Sequence, residues 1–304
     1  MPKFLIALAM VLSTAVLAPR ASAHETGLIQ TPEVDLGYET FGERGAALPV
    51  IAVNGGPGLS HVYMLVNDLW PKIAEHRLVV FYDQRGTGAS KHIQPGAPQT
   101  MDAQVADLEA VRAHLGLEKF ALVGDSYGGL LAMAYAAAHP EHVAKLVLSD
   151  SAAPSWKSMV HLLPETFPDV EEDDAAEEAK LSADTDAAAQ ASLRNHFKMI
   201  FYSGEKRDAY MARAGDLGFE PSVNAAISKA TADLDLTPKL AAFNFPTLVI
   251  SGRYDMNVAP LTAWRMAKAI PGAKIVFFEM SGHLPSYEEP DKYRAVLEAF
   301  LNTP

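Results

Sequence analysis

Residues 119–130 read KFALVGDSYGGL, and this stretch decides the fold of the chain. It opens with an apolar run of strand length and continues beyond residue 130 into small apolar residues that are typical of a buried helix. Between the two lies Gly-x-Ser-x-Gly, centred on Ser126. A serine on a sharp turn from strand to helix exposes its hydroxyl, and glycines on either side let the two backbones pass closely. The stretch therefore predicts a nucleophilic serine at position 126.

The first 23 residues have the composition of a secretory signal peptide. Lys3 supplies a positive start, residues 4–17 are almost entirely apolar, and Ala-Ser-Ala at 21–23 fits a cleavage site. The apolar core is too short to serve as a membrane anchor. We therefore expect a mature protein that begins at His24 and is exported, either to the periplasm or out of the cell.

The composition limits the partners that the protein can have. The chain has 304 residues, no cysteine and a formal net charge of −12, which becomes −14 once Lys3 and Arg20 leave with the signal peptide. Such a chain repels nucleic acid and anionic membrane surfaces. We therefore expect a small-molecule or short-peptide substrate, with neither nucleic acid nor a membrane as partner after signal cleavage.

Strand-like apolar runs alternate with helical patterns on both sides of the Ser126 stretch. Strands are predicted at 34–40, 49–53, 77–82, 143–148, 246–250 and 274–278, and helices at 102–115, 259–270 and 290–301. Continuously apolar strands separated by helices indicate a mostly parallel sheet covered on both faces. The fold class is therefore α/β, and functional residues should follow the carboxyl ends of the strands.

Residues 154–240 interrupt this alternation because they contain no strand-like run. Residues 193–211 and 221–236 have helical composition, and residues 165–186 are dominated by Asp, Glu and Ala. We interpret 154–240 as a helical cap over the carboxyl edge of the sheet. Residues 24–153 and 241–304 then form the catalytic domain.

A serine hydroxyl needs a base, and the base needs a carboxylate to orient it. His283 follows the last predicted strand, and Asp255 follows the strand before it. The order Ser126, Asp255, His283 is the one expected when a serine of this kind lies on a mostly parallel sheet. Asp150, at the end of the strand after the serine helix, is the second candidate for the acid. Asp255 could instead cap the following helix.

The tetrahedral intermediate of such a reaction needs hydrogen-bond donors for its oxyanion. One candidate is the backbone N–H of Tyr127, directly after the nucleophile. The other is Gly56, with Gly55 as second choice, in the Gly-Gly-Pro-Gly loop at 55–58. We interpret the block DQRGTGAS at 83–90 as mainly structural, with a buried Arg–Asp pair that involves Arg85 and braces this loop.

Together, these motifs resemble the prolyl aminopeptidase (proline iminopeptidase) family of α/β-hydrolases. The resemblance rests on GGPG at 55–58, DQRGTGAS at 83–90, GDSYGG at 124–129, Asp255, and SGH at 281–283. It implies an α/β-hydrolase fold, the triad Ser126, Asp255 and His283, and an oxyanion hole at Gly56 and Tyr127. It also implies release of an N-terminal residue, proline above all, from short peptides.

The sequence departs from the family pattern in two places. Asn54 stands where the family usually has His, and residues 154–240 lack the Trp-x-x-Trp-Glu pattern of many members. In the family, acidic side chains of the cap hold the α-amine of the substrate. Glu205 and Glu220 are our candidates for that contact, along with Asp208 and the acidic run 171–178.

Two other functions fit the same residues. A carboxylesterase or lactonase would use the same triad on small esters, and its pocket would be apolar rather than acidic. A non-catalytic binding protein could also occupy this fold, although such proteins commonly lose a triad member. The sequence contains no metal-ligand cluster and no dinucleotide fingerprint, so we expect no cofactor.

Overall fold

The fold is built on one eight-stranded sheet. A computed structural model describes residues 23–170, 172, 176 and 185–303. The strands are β1 (His24–Gln30), β2 (Asp35–Phe41), β3 (Val50–Val53), β4 (Val79–Tyr82), β5 (Phe120–Asp125), β6 (Val143–Ser149), β7 (Thr247–Gly252) and β8 (Lys274–Phe278). Their spatial order is β1-β2-β4-β3-β5-β6-β7-β8. Strand β2 is antiparallel to β1 and β4, and β4, β3 and β5 to β8 run parallel.

Helices cover both faces of this sheet. The α-helices of the sheet domain are α1 (Leu69–Ala74), α2 (Met101–His114), α3 (Tyr127–Ala138), α9 (Pro260–Ala269), the short α10 (Pro285–Glu288) and α11 (Pro290–Leu301). Side chains from α2, α3 and α9 pack into one buried cluster with one face of the sheet. Side chains from α1 and α11 pack into a second cluster on the other face. The fold is therefore the three-layer α/β architecture predicted from the sequence, with a mostly parallel sheet.

The segment between β6 and β7 is helical where the structure describes it. It contains α4 (Leu163–Thr166), α5 (Thr185–Met199), α6 (Gly204–Ala214), α7 (Pro221–Thr231) and α8 (Thr237–Leu240). Its buried side chains form a third cluster, which includes Phe197, Ile200 and Tyr210. Leu59 and Tyr63, from the loop after β3, belong to the same cluster. The helical segment is thus packed onto the carboxyl edge of the sheet.

Some element boundaries differ from the sequence prediction. Strand β1 was not predicted, because HETGLIQ is a polar, largely exposed edge strand without an apolar run. The predicted helix at 193–211 is two helices, since α5 ends at Met199 and α6 starts after Ser203, whose side chain caps it. The helix predicted at 102–115 is confirmed as α2, with Thr100 as its N-cap.

Helices of sufficient length and apolarity to cross a bilayer do not occur among the residues that the structure describes.

Candidate active site

Ser126 lies on a strained turn between β5 and α3. Its backbone has φ 52° and ψ −122°, a conformation that non-glycine residues seldom adopt. The flanking glycines explain how the turn closes. A Cβ on Gly124 would lie 2.5 Å from the carbonyl oxygen of Gly128, and one on Gly128 would lie 2.3 Å from that of Val53. Ser126 is half-buried, so its hydroxyl is held at the surface of the sheet edge.

The structure brings the three predicted triad side chains together. The Oγ of Ser126 lies 2.9 Å from Nε2 of His283, and Nδ1 of His283 lies 2.7 Å from Oδ2 of Asp255. These residues follow β5, β8 and β7, three strands of the parallel part of the sheet. Asp255 is fully buried and His283 is 4% exposed. Each therefore lies at the strand end that the sequence predicted.

The environment of His283 favours the charged imidazole. Burial alone lowers the pKa of this histidine, but the charge of Asp255 and its hydrogen bond outweigh burial and raise the pKa above its ordinary value. The other carboxylate oxygen of Asp255 accepts the backbone N–H groups of Asn257 and Val258, at 2.9 and 2.8 Å. Asp255 thus orders its own loop while it orients the histidine, and α9 begins later, at Pro260.

Asp150, the second candidate for the acid, binds the backbone at the end of β7 rather than His283. Its Oδ1 accepts the backbone N–H of Gly252 at 2.7 Å, at the end of β7. Burial and the charge of Asp255 raise its pKa well above the ordinary range, so this position favours the protonated carboxyl over a second charge beside Asp255. Ligand atoms of Asp150, Asp255 and His283 lie within 4.8 Å of one another. The hydrogen bond between Asp255 and His283 explains this group without a metal.

The predicted oxyanion donors border a cavity beside Ser126. Gly56 and Tyr127 both line it, as does Gly55. Tyr127 is the first residue of α3, where backbone N–H groups have no partner within the helix. The N–H of Gly55, in contrast, donates to the hydroxyl of Tyr63 at 2.6 Å. Gly56 therefore remains the better candidate of the two glycines.

The loop after β3 is braced from the next strand end, although not by the predicted pair. The side chain of Asn54 donates to the carbonyl of Leu59 at 2.8 Å, and Gln84 donates to the carbonyl of Asn54 at 2.7 Å. Arg85 instead forms a buried, two-pronged pair with Asp107 in α2, at 2.6 and 2.8 Å. The prediction of a buried Arg–Asp pair is confirmed, but that pair fixes α2, and Gln84 braces the loop.

A second buried charge network holds the far end of this loop. Oδ1 of Asp83 accepts the hydroxyl of Ser60 at 2.7 Å and contacts Nδ1 of His61 at 2.8 Å. The other ring nitrogen of His61 lies 2.8 Å from Glu39 in β2. Burial lowers the pKa of His61, but the hydrogen bonds that its ring donates to the carboxylates of Asp83 and Glu39 outweigh burial and raise the pKa to about 9. His61 is therefore an imidazolium at neutral pH.

The cavity over Ser126 has a volume of about 470 Å³ and lies between the sheet edge and the helical segment. Most of its lining is apolar: Leu59, Ala152, Trp156, Met159, Leu193, Phe197, Ile200, Phe219, Val258 and Leu284. Besides the catalytic Ser126 and His283, the polar residues on its wall are Tyr63, Asp125, Tyr127, Ser192, His196, Asn224 and Asn257. Among the described lining residues, Asp125 is the one carboxylic acid, and it belongs to the turn rather than to the helical segment.

Both predicted amine contacts lie elsewhere, so that prediction needs correction. Glu205 is exposed in the first turn of α6. Glu220 precedes α7, forms an ion pair with Lys91 at 2.5 Å, and is not among the residues that line the cavity. Asp208 pairs with Arg207 on the exposed side of α6. Most of the acidic run 171–178 lies outside the described residues, and Glu172, which is described, is exposed.

Sequence reasoning also missed two side chains that touch the site. The amide nitrogen of Asn257 lies 3.2 Å from Nε2 of His283. The hydroxyl of Tyr63 lies between Gly55 and Asp125. Neither belongs to a motif. The one sequence signal was their position, since Asn257 closely follows Asp255 and Tyr63 follows the Gly-Gly-Pro-Gly loop.

The chain is similar to known hydrolases over most of its length. A family model described as alpha/beta hydrolase fold matches residues 49–290. The proline iminopeptidase of Lactobacillus helveticus is 33% identical over 284 residues, which cover 88% of this chain and 95% of that protein. A thermophilic esterase from Thermogutta terrifontis matches with a TM-score of 0.70 and 26% identity, over 91% of this chain and 98% of that one. A proline iminopeptidase from Mycobacterium smegmatis matches with a TM-score of 0.69 and 24% identity, over 91% and 97%.

The His61 network predicts a loss of stability in alkali. Because folding raises the pKa of His61 from 6.5 to about 9, its contribution is complete below pH 6.5 and disappears as the pH rises through 9. The shift corresponds to at most about 3 kcal/mol of unfolding free energy. Urea unfolding at pH 6.5, 8 and 9.5 should show this decline in the wild type and a flatter profile in His61→Gln.

His92→Gln serves as the matched control, because the His92 side chain pairs with Asp35 but is 68% exposed. This variant should keep the wild-type pH dependence. Parallel profiles for wild type and His61→Gln would contradict the assignment of a buried imidazolium.

Proposed function

We propose that this chain, which belongs to the proline iminopeptidase family of the alpha/beta hydrolases, is an exported serine hydrolase that works through an acyl-enzyme. Its preferred reaction is the release of an N-terminal residue, above all proline, from short peptides. The observation that carries the chemistry is the contact of Ser126 with His283 and of His283 with Asp255, at 2.9 and 2.7 Å, beside an open cavity.

The reaction follows from the positions of these groups. Ser126 Oγ attacks the carbonyl carbon of the scissile bond while Nε2 of His283 takes the hydroxyl proton. The backbone N–H groups of Gly56 and Tyr127 stabilise the oxyanion of the tetrahedral intermediate. Collapse breaks the C–N bond, and His283 gives its proton to the leaving amine. Water then hydrolyses the Ser126 ester by the same route, and Asp255 stabilises the imidazolium in both halves.

The aminopeptidase proposal is supported by the relatives and by the apolar side chains on the cavity wall. Trp156, Phe197 and Phe219 supply apolar surface for a proline ring. A substrate with a free amine also needs a counter-charge where the amine is buried. Among the described lining residues, Asp125 is the one carboxylic acid.

A second candidate, hydrolysis of small carboxylic esters or lactones, is favoured by one specific observation. Across the described parts of residues 154–240, the side chains that line the cavity are apolar or uncharged-polar, with one histidine. An apolar acyl group of an ester needs no counter-charge. The likeness to the Thermogutta esterase, at 26% identity, is consistent with this alternative.

Replacing the nucleophile should abolish turnover without unfolding the protein. Ser126→Ala should lower kcat for p-nitrophenyl acetate by about 10⁶-fold, the scale seen when a triad serine is removed. Steady-state kinetics and thermal melting of the same samples measure both properties. The control is Ser228→Ala, at an exposed position of α7, which should match the wild type. Turnover by Ser126→Ala at the wild-type rate would refute the role of Ser126.

The substrate class can be decided by blocking the amine. Proline p-nitroanilide should be cleaved with a kcat/KM about 100-fold higher than its N-acetyl form, because a charge-assisted contact to the ammonium is worth about 1.5–3 kcal/mol. The same enzyme is then assayed on p-nitrophenyl acetate and butyrate. Equal cleavage of free and blocked prolyl substrates, together with efficient ester cleavage, would favour the esterase alternative.

Export is proposed from the signal-like residues 1–23. A mature chain that begins at His24 would keep the whole sheet, because β1 starts at that residue and pairs with β2. Expression of the full gene in a Gram-negative host should yield protein outside the cytoplasm whose intact mass fits a start at His24. Protein that retains residues 1–23 and stays in the cytoplasm would contradict the proposal.

A further inference from the structure

The hydroxyl of Tyr63 links the Gly-Gly-Pro-Gly loop to the residue before the nucleophile. The backbone N–H of Gly55 donates to Tyr63 Oη at 2.6 Å, and Tyr63 Oη donates to Oδ2 of Asp125 at 2.5 Å. Tyr63 is 5% exposed and Asp125 is 4% exposed. All three residues border the cavity above Ser126. We call this chain of two hydrogen bonds the Gly55–Tyr63–Asp125 relay.

The polarity of the relay is set by Asp125. An ionised carboxylate only accepts hydrogen bonds, and a phenol has a single proton to donate. Once that proton points at Asp125, a lone pair of Tyr63 Oη is left for the N–H of Gly55. Burial and the nearby charge of Asp125 raise the pKa of Tyr63 well above its usual value, so the phenol keeps its proton.

The glycine loop needs such a constraint because Gly56 has no side chain to restrict its backbone. Gly56 has φ +122°, in a region open mainly to glycine. The loop is also packed directly on the nucleophile, since a Cβ on Gly55 would lie 2.8 Å from Cβ of Ser126. A small rotation of this loop would turn the neighbouring N–H of Gly56 away from the reacting carbonyl.

Tyr63 is a suitable anchor because it is itself held in place. Its carbonyl accepts the hydroxyl of Tyr210 at 3.1 Å. Its ring lies in the buried cluster formed with the helical segment, which also contains Leu59 and Phe197. Asp125 is equally fixed, because it ends β5 and immediately precedes Ser126. The relay therefore ties the loop to the same strand that positions the nucleophile.

We infer that Tyr63 and Asp125 are positioning residues that hold the Gly55 peptide, so that the N–H of Gly56 faces the oxyanion of the tetrahedral intermediate. The inference rests on the proposed acyl-enzyme function. It assigns a role to the second residue of the Gly-x-Ser-x-Gly turn and to a tyrosine that no motif contains. Asp125 acts here through the loop and not by contact with the substrate.

The test compares the rates at which the wild type, Tyr63→Phe and Asp125→Asn hydrolyse the oxo ester and the thiono ester of one acyl group. Oxyanion donors aimed at oxygen stabilise a sulfur anion less well, so the wild type should prefer the oxo ester. In each variant, kcat for the oxo ester should fall about 10- to 100-fold. This loss is no larger than the loss caused by removing one oxyanion donor. KM should change little, and the oxo-to-thiono rate ratio should fall by about tenfold, since misaligned donors discriminate less.

The control is Tyr135→Phe, which removes one buried hydroxyl whose partner is Glu109 rather than a member of the relay. Its oxo-to-thiono ratio should equal that of the wild type. Asp125→Asn keeps the shape of the side chain and so tests the relay even if Tyr63→Phe folds poorly. Thermal melting of every variant separates loss of fold from loss of alignment.

Two results would overturn the inference while leaving the proposed function intact. One is an unchanged oxo-to-thiono ratio in both folded variants. The other is a loss in Asp125→Asn confined to substrates with a free amine, which would make Asp125 a direct ligand of the ammonium. A wild type that hydrolyses neither ester would instead contradict the proposed function, and this inference with it.

Discussion

The hydrogen bond between Asp255 and His283 is the interaction on which the arrangement of the site depends. It joins the loops after β7 and β8 at 2.7 Å, with the carboxylate fully buried. Nε2 of His283 then faces Ser126 only because β5 and β7–β8 run parallel and end at the same edge. The close approach of the two loops requires Gly252, where a Cβ would lie 1.8 Å from the carbonyl oxygen of Gly282. The position of the catalytic imidazole therefore depends both on the direction of the strands and on the close packing of these two loops.

The sheet and the order of the triad residues could be predicted because both leave local signals. Apolar runs of strand length mark β3 to β8, and the turn around Ser126 has an unavoidable glycine pattern. Strand β1 left no such signal, because an edge strand needs no apolar face and its sequence is mostly polar. Its pairing with β2 depends on backbone hydrogen bonds, which hydropathy does not report.

The lining of the cavity could not be predicted for a different reason. Whether Glu205 or Glu220 faces a substrate depends on how helices 154–240 are rotated on the sheet, and a helical pattern alone leaves that rotation open. The relay partner of Asp125 is 62 residues away in the chain, and no spacing rule connects the two. Arg85 likewise pairs with Asp107, the one buried acid of α2. The sequence predicted the apolar face of this helix but not the burial of Asp107. Tertiary docking decided each of these contacts.

Three buried carboxyl groups surround one imidazole, and the structure divides their charge among different tasks. Asp125, Asp150 and Asp255 are 4%, 1% and 0% exposed. Burial and the charge of Asp255 raise the pKa of Asp150 well above its ordinary value, which disfavours a second negative charge beside Asp255. Burial also raises the pKa of Asp125, to about 6, although the charge of His283 and the hydrogen bond from Tyr63 oppose this rise.

A pKa of about 6 leaves Asp125 mostly ionised at neutral pH. The negative charges of Asp255 and Asp125 both raise the pKa of His283, that of Asp255 by direct contact and that of Asp125 through space. That charge distribution stabilises the imidazolium which forms when Ser126 loses its proton.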